Sequence, residues 1–195
     1  MTDDKTSKSG AKRDLVFNRV FDAPVKRVWK AWADPEHVKR WWGPTGFSCP
    51  VAKMDFRVGG ISLVCMRAPK EFGGQDMYST WTYTKIASPR EIEYLHHFAD
   101  RDGNRITPAT MGLPPDMPEE VRNLVTFKVV GGNKTELTVT EYDWPVGQMM
   151  EMSRKGMEQC LDKMAASVVE TQARYPQERT PARCRSCAPP NDYPV

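Results

Sequence analysis

The 25 residues that follow Pro145, VGQMMEMSRKGMEQCLDKMAASVVE, constrain the fold more than any other part of the chain. Met150, Met157, Leu161, Met164 and Val168 recur there at spacings of seven, four, three and four. Such spacing draws one apolar stripe along an α-helix, with Glu151, Arg154, Lys155, Glu158 and Asp162 elsewhere around it. Pro145 suits a first helical turn, where its missing N–H would lack a partner anyway. At about 1.5 Å per residue the helix is a rod of roughly 37 Å, long enough to cross a small domain. Upstream lie many short β-type runs and no second helix of that length. The stripe is therefore predicted to lie across a curved antiparallel sheet, which gives class α+β. A strongly curved sheet does not contact a straight helix everywhere, and a cavity between the two follows. Methionine serves either place, filling an irregular core or lining an adaptable binding surface.

A chain of 195 residues, 39% hydrophobic and 27% charged, supports one domain with a sizeable core plus polar extensions. No apolar run approaches the roughly 20 residues needed to span a bilayer, so membrane insertion is not expected. The polar start, MTDDKTSKSGAKRD, has no hydrophobic segment of the secretory kind, and a cytoplasmic protein is expected. The net charge of +3 sits at the ends: residues 1–13 and 171–195 each carry +2, leaving −1 between them. That remainder lacks the basic stripe of a nucleic-acid-binding domain. Five cysteines (Cys49, Cys65, Cys160, Cys184 and Cys187) suit a reducing compartment better than a disulfide framework. Only Cys184 and Cys187 have redox or metal spacing, and no second Cys or His pair accompanies them, so no metal site is expected.

Residues 1–12 read as a disordered leader, 13–170 as one domain, and the Pro- and Arg-rich 171–195 as a disordered tail. Leu15 to Phe21 is a first strand, and Pro24 opens a short helix to Ala33. Asp34-Pro35-Glu36 starts a second helix, with Asp as N-cap and Pro at the first helical position. Gly43-Pro44 stops it after Trp41-Trp42. Strands are expected over Ser48–Val58, Ile61–Arg67, Met77–Ile86 and about Ile92–Phe98, with a last hairpin of Val121–Val130 and Lys134–Tyr142. Asn104 to Glu120, with four prolines, is too long for a hairpin turn and reads as a lid over one end of the sheet.

Particular residues carry a resemblance. Phe21-Asp22-Ala23-Pro24, Val28-Trp29, Ala31-Trp32, Asp34-Pro35-Glu36, Trp41-Trp42-Gly43-Pro44, Asp55-Phe56-Arg57-Val58-Gly59-Gly60, and Gly156 with Leu161, occur in that order. From about Asp14 to Glu170 the chain resembles the Hsp90-ATPase-activator-homologue-like family of the START and polyketide-cyclase superfamily. The resemblance implies a helix-grip fold, with six or seven strands wrapped on the C-terminal helix and two short helices after the first strand. It also implies an apolar or aromatic small-molecule ligand and no cofactor. Val58 stands where the family usually has Pro, and Met157 where an aromatic often follows the helix glycine; the second departure should make the pocket roomier. A chaperone-binding N-terminal domain is not expected within residues 1–13, which leaves a chaperone partner with little support.

The candidate ligand-contacting residues are Trp41, Trp42, Met54, Trp81, Tyr94, His96, Phe98, Phe127, Met150, Met157 and Leu161, an inventory that an ordinary core would also use. His96 and His97 are adjacent on a strand and must point to opposite faces. If Tyr94 and Phe98 face inward, so does His96, an acid or base near neutral pH. His96 with Asp55 or Tyr94 would carry the proton transfer of a cyclase- or dehydratase-like enzyme. Asp55 and Arg57, two apart on a strand, would form an ion pair, either a ligand anchor or a brace for the Gly-Gly turn. No phosphate loop, nucleophile triad or HExxH pattern is present.

Overall fold

Leu15, Phe17 and Phe21 point inward from the first strand, β1 (Lys12–Phe21), and Pro24 then becomes the N-cap of a helix. The computed structural model describes residues 11–174, with side chains to Val169. After β1 come α1 (Val25–Ala33), α2 (Pro35–Trp41), β2 (Ser48–Lys53), β3 (Ile61–Arg67), β4 (Asp76–Ala87), β5 (Glu91–Ala99), β6 (Glu120–Val129), β7 (Thr135–Pro145) and α3 (Gln148–Arg174). The strands form one antiparallel sheet in the order β1-β7-β6-β5-β4-β3-β2, and α3 packs on it. Apart from their inner ends, the expected leader and tail lie outside the described residues, as do Cys184 and Cys187. No described helix is long and apolar enough to cross a membrane.

The short helices follow the local chemistry. The Asp34 carboxylate accepts from the backbone N–H of Glu36 (2.9 Å) and of His37 (3.3 Å), which starts α2 where the sequence predicts it. Together α1 and α2 place Trp32 and Trp41 against each other, ring centroids 4.7 Å apart, with Trp81 of β4 6.0 Å from Trp32. All three are essentially inaccessible. The α3 stripe is buried along its length, Met150, Met157, Leu161, Met164 and Val168 each being 7% exposed or less.

Four expectations are corrected in detail. The strand expected over Ser48–Val58 ends at Lys53, because residues 54–60 form a turn held by its own bonds and by neighbouring strands: Arg57 N–H donates to the Asp55 carbonyl at 2.9 Å, Asp55 N–H to Ser62 Oγ of β3 at 3.1 Å, and Gly59 N–H to the Tyr83 carbonyl of β4 at 2.8 Å. Gly60 permits the turn, since a Cβ there would overlap the Asp55 carbonyl. Asp55 and Arg57 do pair (2.9 Å), from the turn rather than from a strand. Pro145 belongs to the end of β7, opposite Lys12, and not to the first turn of α3. Pairing with β1 carries β7 past Tyr142, Asp143 N–H being held by the Asp14 carboxylate at 3.0 Å.

Candidate functional site

One cross-strand row decides where chemistry can occur. The register aligns Tyr83 of β4, Tyr94 of β5, Asn123 of β6, Glu141 of β7 and Leu15 of β1. Two residues along, Trp81, His96 and Val121 form the next row. Both rows face α3. At the N-terminal half of that helix the sheet and helix separate around a cavity of about 260 Å³. Towards its C-terminal half, Leu161, Met164 and Val168 close the gap as solid core.

The sheet contributes Tyr94, His96, Phe98, Asn123 and Glu141 to the cavity wall, and α3 contributes Met149, Ser153, Gly156, Met157 and Cys160. Trp42 and Pro44, which follow α2, and Met66 of β3 form one side. The excursion between β5 and β6 covers another with Leu113 and Met117, as a lid was expected to do. The lid is fastened to the helix it covers: the Asp116 carboxylate accepts from Met149 N–H at 3.1 Å, satisfying a free donor in the first turn of α3. Gly147 leaves room for it, since a Cβ there would lie 2.6 Å from Asp116 Oδ2. Gly147→Ala should therefore swing the carboxylate away and remove the cap, a loss of about 1 kcal/mol. The expected result is faster proteolytic nicking within residues 104–119, with the melt lowered by only a few degrees.

Glu141, absent from the sequence-derived candidates, is the principal polar group of the cavity. Its side chain is 5% exposed. Trp144 Nε1–H donates to Oε2 at 2.9 Å and Ser153 Oγ–H to the same oxygen at 3.3 Å. No described residue donates to Oε1. Burial pushes the carboxyl up to about 7, the two hydrogen bonds opposing it only in part. Asn123 spends its amide N–H on the Val121 carbonyl (2.9 Å), and no described residue hydrogen-bonds to the Tyr94 hydroxyl. Burial, reinforced by the Glu141 charge, raises the Tyr94 hydroxyl well above the usual phenol range. Among the described residues, no Lys or Arg side chain lines the cavity.

The two histidines separate as strand geometry requires. His96 faces the cavity with its ring edge-on to Phe98 (5.5 Å), and burial, with His97 adding to it, pushes its pKa down to about 4. The imidazole, half-buried in the strand, is neutral at pH 7. His97, on the other face, pairs through Nε2 with Glu120 Oε2 at 2.6 Å.

Of the residues expected to contact a ligand, Trp42, Tyr94, His96, Phe98 and Met157 come together at the cavity. Trp41, Trp81, Phe127, Met150 and Leu161 are buried in the core around it, and Met54 packs against that core. Asp55 is half-buried, paired with Arg57 and outside the cavity wall. Behind the wall, Lys163 donates to the carbonyls of Gly43 (2.8 Å) and Phe47 (3.0 Å), tying the loop that carries Trp42 and Pro44 to α3.

A curved antiparallel sheet gripping one long helix, with a cavity between them, defines a helix-grip protein. The sequence profile of the family described as Activator of Hsp90 ATPase homolog 1-like protein matches residues 22–168, and the chain belongs to that family. A solved protein from Arthrobacter aurescens is 26% identical, with a TM-score of 0.67 over 85% of this chain and 93% of that one. One from Chromobacterium violaceum is 25% identical, with a TM-score of 0.64 over 80% and 96%. The AHSA1-like protein from Aeromonas hydrophila, at 17% identity, shares the fold, with a TM-score of 0.62 over 86% of this chain and 99% of that one. No curated protein matches the sequence.

Proposed function

We propose that the protein binds an apolar or aromatic small molecule in the cavity between the sheet and α3. The observation that carries this reading is the mainly apolar space of about 260 Å³ beside otherwise close-packed core. An apolar cavity of about 150 Å³ accommodates one benzene ring, so this one has room for roughly two fused rings. Proton-transfer chemistry by His96 with Asp55 draws no support from the geometry, because Asp55 lies elsewhere and the His96 imidazole is a weak base.

Met157 supplies the test. It is 7% exposed yet forms part of the cavity wall. Met157→Trp should fill part of the void, leaving the thermal midpoint unchanged or raised while binding of an apolar probe dye falls several-fold. In a close-packed site the larger ring would instead cost about 1–3 kcal/mol. A variant destabilised to that extent, with dye binding unchanged, overturns the reading.

A further inference from the structure

We propose that the ligand is a lipophilic amine, bound as its ammonium ion with Glu141 as the counter-ion; this deepens the binding reading above and rests on it. A side chain that merely joined β7 to α3 would need one acceptor atom, and Oε2 alone takes both Trp144 Nε1–H and Ser153 Oγ–H. The second oxygen is left without a donor among the described residues, on a side chain 5% exposed that forms part of the cavity wall. A buried carboxylate without a cation is costly, and its cost is recovered when a cation with hydrogen-bond donors arrives. No described residue provides that cation. Among the described residues the wall contains no Lys or Arg, and Lys163 on α3 is engaged by the carbonyls of Gly43 and Phe47.

The other titratable groups around Glu141 favour the same ligand charge. Tyr94 on β5 and Cys160 on α3 are held protonated by burial, and His96 on β5 is neutral at pH 7. None of them offsets a negative ligand, so an anion would meet the Glu141 carboxylate unaided. The rings of Trp42, Tyr94 and Trp144 in the wall add π-faces of the kind that attract ammonium groups. The rest of the wall is apolar and accepts the hydrocarbon body.

Three probes of one shape separate the possibilities: 1-naphthylmethylamine, 1-naphthylmethanol and 1-naphthoate, titrated calorimetrically into the full chain. At pH 7.5 the amine should bind about tenfold or more tighter than the alcohol, and the naphthoate most weakly. Amine affinity should rise between pH 6 and 8 with release of a proton, read from two buffers of different ionisation enthalpy, while alcohol affinity stays flat. In Glu141→Gln the preference for amine over alcohol should vanish. Equal wild-type affinities for amine and alcohol, or an amine preference that survives Glu141→Gln, overturn the amine proposal and leave the cavity reading standing. Binding of none of the three overturns both. The wild-type comparison of amine with alcohol stands even where the variant folds poorly.

Discussion

Trp41→Ala should destabilise the domain by about 3–5 kcal/mol, measured by urea titration, and lower its thermal midpoint by about 10 °C or more. The ring has no solvent exposure and packs between Trp32 (tilted, 4.7 Å) and Trp42 (edge-to-face, 5.6 Å). Its Nε1–H donates to the Ala31 carbonyl at 2.7 Å, tying α2 to α1. Truncation removes both the packing and that bond, and leaves a void in a cluster of rings too large to collapse upon it. With total stabilities of about 5–15 kcal/mol for domains of this kind, the loss is a substantial fraction of the whole. A near-zero effect would place Trp41 outside the core.

Glu141→Gln should change stability in a direction set by pH. The folded carboxyl, at about 7, lies above its ordinary 4.5. A raised acid contributes stability that is complete below pH 4.5 and is lost as pH rises towards 7, here by about 3 kcal/mol. Glutamine keeps an acceptor for Trp144 and Ser153 without a charge to bury. The variant should therefore match the wild type at pH 5 and exceed it by about 2–3 kcal/mol at pH 8. His96 works in the opposite sense, its lowered pKa contributing stability above about 6.5 that is lost as pH falls through about 4. The wild-type profile is consequently flattened, and the difference between the two proteins, in which His96 cancels, isolates the carboxyl. A pH-independent difference would show that Glu141 is solvated in the folded protein.

The apolar stripe of α3 was legible because a period of 3.6 is set by the helix itself, and the Asp34 cap because its bonds reach only two and three residues along the chain. Glu141 was not, for a reason visible in its surroundings. Along β7 it reads as one more charged residue between Thr140 and Tyr142. Its meaning comes from register, which sets it beside Asn123 and Leu15, and from α3, which covers it. The lining residues divide on the same ground. Alternation places Tyr94, His96 and Phe98 on one face of β5. Whether Trp42 or Trp41 meets the cavity depends on how α2 ends against β4, a distance of 4.8 Å between the rings of Trp42 and Trp81 that no local pattern encodes. Asp55 and Arg57 were legible as a pair, while the turn that takes them off the strand depends on contacts with Ser62 and Tyr83 in neighbouring strands.

Six methionines, Met66, Met77, Met117, Met149, Met152 and Met157, give the cavity a wall of thioethers. Each sulfur can take up one oxygen atom under mild oxidants, which turns a soft apolar contact into a polar, chiral one. Met152, 54% exposed at the rim, is the most accessible of them, and Met149 and Met157 are the most sheltered. The apolar character of this cavity is therefore conditional on its redox surroundings. A sulfoxide dipole at the rim would confront an apolar ligand without touching the Trp41 core, so occupancy could be lost under oxidising conditions while the fold stays intact.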